Sequence, residues 1–245
     1  MKTIGVIPAR FASTRFPAKV LAHICGKPMI EHVYAKAKAC QQLDDVLIAC
    51  DHPDIFQVVQ GFGGKVVMTD PNHPSGSDRI AEAVKDLDVD VIVNIQGDEP
   101  FIDPKTVDSL AVLLKNDPAC MMGTVIKEIS QEADFLNPNV VKCVVDALGY
   151  ALYFSRSPIP YNRNAKKPEG LKQYKHLGLY AYRKSFLLQY KDWPKSILEM
   201  TEQLEQLRVL EKGYRIKTVV TTAESIAVDT PEDLKKAEEW FAQSR

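Results

Sequence analysis

Short apolar runs of strand length alternate with segments of helical period along the first half of the chain. The apolar runs cover residues 3–8, 46–50, 66–69 and 91–95. The segments between them are long enough to hold helices, and helical crossovers connect parallel strands with a right-handed turn. The pattern therefore predicts a β-α-β series and a parallel sheet.

Capping residues indicate where the helices of this half begin. Residues 28–33 start the first helix, Pro53 opens one after the second strand, and Ser77 is expected to cap a helix over residues 78–84. Apolar side chains at helical spacing predict the buried face of that last helix, and they are Ile80, Ala83, Val84 and Leu87.

After about residue 119 the pattern changes to consecutive strands with few helices between them. The predicted strands cover residues 121–125, 140–146, 150–155 and 177–182. The tetrapeptide 146–149 is typical of a hairpin turn, residues 161–175 form a polar loop long enough to move, and residues 200–208 have the pattern of an amphipathic helix.

No Gly/Ser-rich linker separates the two halves, so we interpret the second half as an antiparallel extension of the same sheet. The predicted fold class is α/β. We expect a single Rossmann-like domain over residues 1–245, with a mostly parallel sheet and an antiparallel extension in the second half.

The composition is typical of a soluble globular protein, with a formal net charge of -1, 45% hydrophobic and 26% charged residues. A nucleic-acid partner is not expected, because such proteins usually carry an excess of basic residues. No apolar run approaches the ~20 residues that span a bilayer, and the chain enters a strand at once rather than a signal peptide. We therefore expect no membrane insertion and a cytoplasmic location.

The cysteine and histidine positions do not indicate a metal site. The five cysteines are odd in number, widely spaced and mostly inside apolar segments, and the five histidines show no metal-ligand spacing. Buried, reduced thiols explain the cysteines better than disulfides or a zinc site.

The first 30 residues contain five cations and no anion, and Arg10, Arg15 and Lys19 fall in the loop directly after the first strand. Because the rest of the chain has 26 cations against 32 anions, this positive loop is a local feature. Ser13 and Thr14 lie between the cations, and such loops at the carboxyl edge of a parallel sheet bind ligands. The loop predicts a polyphosphate site, with a solvated basic face as the alternative.

Two aspartates follow later apolar strands. Asp98 comes after the strand at residues 91–95, and the preceding Gly97 is expected to allow a sharp turn. Asp229 stands directly before a well-specified helix start, in which Thr230 is the N-cap and Asp233 completes a capping box. Mg²⁺ is commonly bound by one or two carboxylates together with water and phosphate oxygens, so the pair facing the basic loop predicts a magnesium site. Taken alone, each aspartate also suits a structural role at a turn or cap.

The chain resembles the 3-deoxy-manno-octulosonate (Kdo) cytidylyltransferases over nearly its whole length. The motifs that carry the resemblance occur in order, and they are IPARFASTRFPAK at 7–19, GKPMI at 26–30, HPSGSDR at 73–79, NIQGDEP at 94–100, YALYFSR at 150–156, HLGLY at 176–180, LEQLR at 204–208 and VDTPEDL at 228–234. One departure is Ala18, which stands where glycine is common in the family.

The resemblance implies a nucleotidyltransferase fold in which residues 1–118 mainly bind nucleotide and residues 119–245 mainly bind sugar and form a homodimer. It implies transfer of CMP from CTP to Kdo with release of pyrophosphate and with Mg²⁺ as cofactor. Lys19, Arg10 and Asp98 are implied to be catalytic, and Asp98 and Asp229 to share the metal. The implied nucleotide-binding residues are Ala9, Arg10, Ser13, Lys19, Ser75, Gly76, Arg79 and Gln96, and the implied sugar-binding residues are Arg15, Gln96, Arg156, His176, Tyr180, Glu205 and Gln206.

Other functions share parts of this pattern. The acceptor is an acid sugar by resemblance, and 8-amino-Kdo or sialic acid are alternatives to Kdo. Nucleotidyltransferases for methylerythritol phosphate or sugar 1-phosphates usually have a glycine-rich first loop, which residues 9–13 lack. A non-catalytic nucleotide sensor would keep the phosphate loop without needing the two aspartates.

Overall fold

The computed structural model describes residues 1–12, 16–163, 168–224 and 227–243. Within these ranges the chain forms a nine-stranded sheet, covered by helices on both faces, and a separate two-stranded hairpin. The strands are β1 (Thr3–Ala9), β2 (His23–Ile24), β3 (Lys27–Pro28), β4 (Asp45–Cys50), β5 (Val66–Met68), β6 (Val91–Asn94), β7 (Met122–Glu128), β8 (Lys142–Val145), β9 (Ala151–Ser155), β10 (Tyr174–Arg183) and β11 (Ile216–Thr221).

The helices are α1 (Met29–Lys38), α2 (Pro53–Gly61), α3 (Gly76–Val84), α4 (Pro104–Asn116), α5 (Glu132–Leu136), α6 (Lys184–Tyr190), α7 (Ile197–Glu202), α8 (Leu207–Glu211) and α9 (Pro231–Gln243), with a short 3-10 turn at Lys19–Leu21. None of these helices, which all belong to the described part of the chain, combines the length and the apolar character that a membrane span requires.

The first half of the chain forms the predicted parallel unit. β1 pairs in parallel with β4 on one side and β6 on the other, and β4 pairs in parallel with β5. The strand order is therefore β6-β1-β4-β5, and it reverses at β1. In open α/β sheets, ligands bind at the carboxyl ends of the strands where the order reverses.

The second half extends the same sheet, as predicted, through antiparallel pairs. β10 lies between β6 and β7 and is antiparallel to both, and the β8–β9 hairpin is attached to β10. The predicted hairpin turn is confirmed, because the Asp146 N–H donates to the Tyr150 carbonyl and Gly149 adopts a φ of 74°. Three strands were not predicted. Two form the short β2–β3 hairpin, and the third, β11, pairs in parallel with β7 at the sheet edge, where its partly exposed side chains weaken the apolar pattern.

Alternate side chains of β1 belong to two apolar layers, one on each face of the sheet. Ile7 packs into a cluster that includes α1, α2 and α4, and Val6 packs into a cluster that includes α3, α6 and α8. Since both faces are covered, the central strands are apolar throughout, which is why they appear in the sequence as continuous apolar runs. All five cysteines are free thiols; four are buried, but Cys25 is exposed, contrary to expectation.

The start of α3 differs from the prediction by two residues. Ser75, rather than Ser77, is the N-cap: its backbone is extended and its hydroxyl accepts the N–H of Asp78 at 3.3 Å. Ser77 lies inside the helix and is buried. An N-cap side chain accepts the N–H of the second or third helical residue, and Asp78 is the third residue of the helix that Ser75 caps. Leu87 is exposed rather than part of the buried face.

The predicted helix over residues 200–208 is interrupted. α7 ends at Glu202, Gln203 takes a left-handed conformation with φ of 54°, and α8 begins at Leu207. A buried ion pair spans the break: the Arg208 guanidinium donates to both carboxylate oxygens of Glu199, at 2.7 and 2.6 Å. The pair fixes the connection at residues 203–206 between two short helices, neither of which is long enough to be stable alone.

We expect Glu199→Ala to lower the free energy of unfolding by about 3 kcal/mol, because it leaves the Arg208 guanidinium buried without its carboxylate. Urea unfolding measures the change. The control is Glu31→Ala, which breaks the Lys27–Glu31 pair on the surface of α1 and should cost less than about 1 kcal/mol. Equal stability of the two variants would show that the buried pair does not hold this connection.

Candidate active site

A cavity of about 370 Å³ opens at the carboxyl ends of β1 and β6, where the strand order reverses. Among the described residues, its lining consists of Pro8, Arg10, Ala12, Lys19, Val20, Gly76, Gln96, Gly97, Asp98 and Asp229. The basic loop and both acidic positions therefore border one cavity, as the sequence predicts. Ala9 ends β1 and is fully buried, next to Pro8 and Arg10, which line the cavity.

Asp98 and Asp229, which are distant in sequence, converge on one ammonium group. The Lys19 Nζ donates to Asp98 Oδ2 at 2.6 Å and to Asp229 Oδ1 at 2.8 Å. The Lys19 side chain is mostly buried, whereas Asp98 and Asp229 keep 27% and 39% of their side-chain surface exposed. Both carboxylates can therefore still be reached from the cavity.

Close backbone packing positions Asp98. A Cβ atom on Gly97 would lie 3.0 Å from the Pro8 carbonyl oxygen, so only glycine lets this turn approach the end of β1 without a shift. The predicted turn is present, since the Glu99 N–H donates to the Gln96 carbonyl at 3.3 Å, but Gly97 is not left-handed and glycine is needed there for the close approach. The Val228 N–H then donates to the Asp98 carbonyl at 2.9 Å, which brings the chain before Asp229 beside the same turn.

The predicted capping box at the start of α9 is confirmed and orients Asp229. The Thr230 hydroxyl accepts the Asp233 N–H at 3.2 Å, and Asp233 Oδ2 accepts the Thr230 N–H at 3.1 Å. The same carboxylate oxygen lies 3.3 Å from the Asp229 nitrogen. The backbone of Asp229 is thus tied to the helix start while its side chain remains at the cavity.

The charge of Lys19 balances the two carboxylates. Burial would lower its pKa, but the charges and hydrogen bonds of Asp98 and Asp229 outweigh burial and raise the pKa above the ordinary lysine value. Lys19 therefore stays protonated at neutral pH. Two carboxylates that contact the same ammonium group lie close enough to repel each other. The Lys19 ammonium therefore stabilises an arrangement that the carboxylates alone would disfavour.

The same two carboxylates fit a magnesium ion. They already share one cation, and both reach a polar cavity large enough for phosphate groups. Across the described ranges, no group of three or more His, Cys, Asp or Glu side chains gathers into a complete metal site. A pair of carboxylates is a donor set that fits Mg²⁺, which takes few protein ligands and fills its other positions with water and substrate phosphate oxygens.

Asp51, at the end of β4, was missed by the sequence analysis and supports the basic loop. Its Oδ1 accepts the Phe11 N–H at 2.8 Å, directly after Arg10, and its Oδ2 accepts from the Arg79 guanidinium at 3.0 Å. Arg79 is fully buried and also donates to the Thr69 hydroxyl. In this conformation Arg79 does not line the cavity, and it supports the basic loop through Asp51.

Ser75 and Gly76 lie at the start of α3, beside the cavity. Gly76 lines it, and a Cβ atom there would lie 3.3 Å from the Pro8 ring. The Ser75 hydroxyl donates to Asp78 Oδ2 at 2.6 Å and lies 3.3 Å from Glu205 Oε1. Ser75 and Glu205 both border a second cavity, of about 300 Å³, rather than the one that holds Lys19. Burial raises the pKa of Glu205.

Gln96 connects the cavity to the antiparallel half of the sheet. Its side chain lines the cavity, and its Nε2 donates to the Gly178 carbonyl at 3.1 Å. That carbonyl lies in an irregular part of β10, where the register with β7 shifts between His176 and Tyr180. The irregularity frees a main-chain acceptor that a regular ladder would use.

Three of the expected sugar-binding residues form one cluster next to this irregularity. The His176 and Tyr180 rings lie 5.2 Å apart, and the Tyr180 hydroxyl donates to Gln206 Oε1 at 3.0 Å. Gln206 is buried, and its Nε2 has no hydrogen-bond acceptor within the described part of the chain. Burial lowers the pKa of His176 to about 3, so its ring is neutral at physiological pH.

Arg156, just after β9, is held by backbone carbonyls. Its guanidinium donates to the carbonyls of Glu202, Pro138 and Gln203, and its N–H donates to the Glu202 carboxylate. It does not line the cavity that holds Lys19. Ser13 and Arg15, predicted for nucleotide and sugar, lie outside the described residues, as do residues 164–167 of the polar loop.

The chain is similar to known proteins over nearly its whole length. Residues 4–219 match the family model described as cytidylyltransferase. The 3-deoxy-manno-octulosonate cytidylyltransferase of Geobacter sulfurreducens is 50% identical over 244 residues, covering 96% of this chain and 98% of the relative. The enzyme of the same name from Geotalea daltonii is 51% identical over 244 residues, covering 96% of each chain.

A solved structure of CMP:2-keto-3-deoxy-manno-octonic acid synthetase complexed with CTP superposes with a TM-score of 0.95. It is 43% identical in sequence, and the match covers 100% of both chains. With this similarity over the full length, the chain belongs to the cytidylyltransferase family, among the 3-deoxy-manno-octulosonate cytidylyltransferases.

Proposed function

We propose that this chain transfers CMP from CTP to the anomeric hydroxyl of Kdo, giving CMP-Kdo and pyrophosphate, with Mg²⁺ as cofactor. The observation that carries the proposal is the convergence of Asp98 and Asp229 on Lys19 in a cavity that Arg10 also lines. Membership of the Kdo cytidylyltransferases supplies the two substrates. The product would activate Kdo for lipopolysaccharide synthesis.

In the proposed reaction the anomeric oxygen of Kdo attacks the α-phosphorus of CTP in line with the leaving group. The new oxygen–phosphorus bond forms as the bond to the β-phosphate oxygen breaks, and pyrophosphate leaves. Arg10 and Lys19 offset the charge that develops on the leaving phosphates, and Ser13 and backbone N–H groups of the loop orient those phosphates. Gly76, which lines the cavity, and the adjacent Ser75 help to seat the nucleotide. Mg²⁺, held by Asp98 and Asp229, would supply further charge stabilisation at the phosphates.

The acceptor would bind where the antiparallel half meets the cavity. Gln96 reaches both regions, and the cluster of His176, Tyr180 and Gln206 offers hydrogen-bonding groups for sugar hydroxyls. Arg15 and Arg156 are the proposed cations for the sugar carboxylate. Glu205 would contribute from the second cavity, through its contact with Ser75.

We also propose a cytoplasmic homodimer. The three aromatic residues at 150–155 mostly cover the chain's own core, since Phe154 is fully buried and Arg215 stacks on the Tyr150 ring at 3.6 Å. The same hairpin instead exposes Leu148 and Leu152, by 66% and 60%. An apolar tip of this kind favours a protein contact over a solvated surface.

A pyrophosphate-release assay that crosses CTP, UTP, ATP and GTP with Kdo, 8-amino-Kdo and sialic acid tests the proposal. We expect release only with CTP and most efficiently with Kdo. Preference for 8-amino-Kdo or sialic acid would reassign the acceptor, and CTP binding without pyrophosphate release would indicate a nucleotide sensor. Activity only with a sugar 1-phosphate would contradict the proposed acceptor class.

We expect Asp98→Asn to lower kcat by roughly 100-fold or more with saturating CTP, Kdo and Mg²⁺, because the amide cannot replace a carboxylate at the metal or balance Lys19. Steady-state kinetics and thermal unfolding measure activity and fold separately. Asp88→Asn, which removes one carboxylate from an exposed position, is the control and should retain full activity. Near-normal turnover of Asp98→Asn would reject the assignment.

We expect Asp51→Asn to raise the KM for CTP and to lower the free energy of unfolding by about 2 kcal/mol, because Arg79 stays buried without its charge partner and the loop after Arg10 loses its anchor. CTP titrations and urea unfolding measure both effects. Asp45→Asn removes the aspartate at the opposite end of β4, where it pairs with Lys65 near solvent, and should change neither quantity appreciably. An unchanged KM in Asp51→Asn would show that the anchor does not position the phosphate loop.

A further inference from the structure

Thr124, which the sequence analysis did not single out, lies on β7 directly behind His176. The Thr124 residue is fully buried, and its Oγ1 is 2.8 Å from the Leu179 carbonyl oxygen and 2.8 Å from His176 Nε2. Both partners belong to the irregular part of β10. One hydroxyl therefore contacts a carbonyl oxygen and an imidazole nitrogen at the same time.

The direction of these two hydrogen bonds follows from the number of protons. A threonine hydroxyl donates one proton, and a carbonyl oxygen has none to give. If Thr124 donated to His176, its oxygen would face the Leu179 oxygen at 2.8 Å with no proton between them, which is repulsive. Thr124 must therefore donate to the Leu179 carbonyl, and His176 Nε2 must donate to Thr124.

This direction fixes the tautomer of the neutral ring. With the proton on Nε2, the Nδ1 atom carries a lone pair and accepts hydrogen bonds. Among the residues that the structure describes, no group donates to Nδ1. The low pKa that burial gives His176 agrees with a ring that stays neutral.

We propose that Thr124 is a positioning residue that holds His176 as the Nε2–H tautomer, so that Nδ1 accepts a hydrogen bond from a hydroxyl of the acceptor sugar. The ring lies between Phe154 at 5.0 Å and Tyr180 at 5.2 Å, which fixes its plane. Beside it, the Gln206 amide nitrogen is a buried donor that lacks an acceptor in the described chain. A sugar hydroxyl both donates and accepts, so it can satisfy both groups. The role of Nδ1 rests on the proposed function, but the tautomer does not.

Long-range proton–nitrogen correlation spectra of protein labelled with ¹⁵N-histidine test the tautomer without any substrate. We expect a pyrrole-like Nε2 and a pyridine-like Nδ1 for His176, assigned by the signals lost in His176→Asn. His32 is an internal reference, because its Nε2 faces the Ile24 carbonyl at 2.8 Å and must also carry the proton. A pyrrole-like Nδ1 in His176, or a doubly protonated ring at neutral pH, would overturn the proposal.

Kinetics of Thr124 variants test the positioning role. Thr124→Val keeps the shape of the side chain but removes the hydroxyl. We expect the KM for Kdo to rise about tenfold, because the substrate loses one hydrogen bond, while the KM for CTP is unchanged. Thr124→Ser restores the hydroxyl and should restore the KM. Thr218→Val removes another threonine hydroxyl that binds a carbonyl, that of Gly149 on the sheet edge, and should leave both KM values unchanged.

The two measurements separate this inference from the proposed function. An Nε2–H tautomer in an enzyme that uses a different acceptor would leave the Thr124 assignment intact and reject the acceptor. Transfer to Kdo by an enzyme with the Nδ1–H tautomer would support the acceptor and reject the Thr124 assignment. Equal KM values for Kdo in Thr124→Val and the wild type would reject the positioning role, and if Thr124→Val does not fold, the spectrum of the wild-type protein decides the tautomer.

Discussion

The structure depends on keeping two negative charges close together at the edge of a sheet. Asp98 and Asp229 share the Lys19 ammonium at 2.6 and 2.8 Å, and their repulsion is offset by that charge and by the backbone packing behind them. The scaffold does this with main-chain contacts: Gly97 against the Pro8 carbonyl and the Val228 N–H on the Asp98 carbonyl. Because these contacts do not use the side chains, the carboxylates remain available to a cation and to phosphate.

On the other side of the cavity, the basic loop is also held in place by contacts behind it. Asp51 ends β4 and holds the chain after Arg10, while buried Arg79 neutralises Asp51 from behind. The loop that carries Arg10 is therefore held by a charge pair outside the cavity. In the proposed function, a substitution at this pair would act on nucleotide binding through the position of the loop, not through lost contacts with the phosphates.

The sequence predicted the parallel and antiparallel parts of the sheet from periodicity, and it predicted that the basic and acidic positions meet. The apolar strand expected before Asp229 is absent from residues 227–229, and the hydrogen bond from the Val228 N–H to the Asp98 carbonyl places Asp229 instead. Details that long-range packing decides were not predicted. Ser75 and Ser77 are equivalent caps by composition, and only the backbone geometry selects Ser75. Arg79 belongs to the motif at residues 73–79, but whether its guanidinium contacts a ligand or Asp51 depends on long-range packing. The break at Gln203 depends on the Glu199–Arg208 pair across it, which no local pattern reveals. Ala18 takes a left-handed φ of 53°, a conformation that glycine adopts at lower cost.

In the proposed function, the two kinds of strand pairing divide the recognition of the two substrates. Parallel strands end together at one edge, which collects the cations and carboxylates proposed for the phosphates of the nucleotide. A sugar offers hydroxyls instead, and these require donors and acceptors of fixed direction. The irregular segment of β10 supplies them, since it releases the Gly178 carbonyl for Gln96 and places the Leu179 carbonyl where it orients Thr124 and His176. Because β10 pairs directly with β6, the strand that leads to Asp98, this set of directed hydrogen bonds lies next to the charged cavity. The irregularity in β10 thus places the hydrogen-bonding groups proposed for the sugar next to the cavity proposed for the nucleotide.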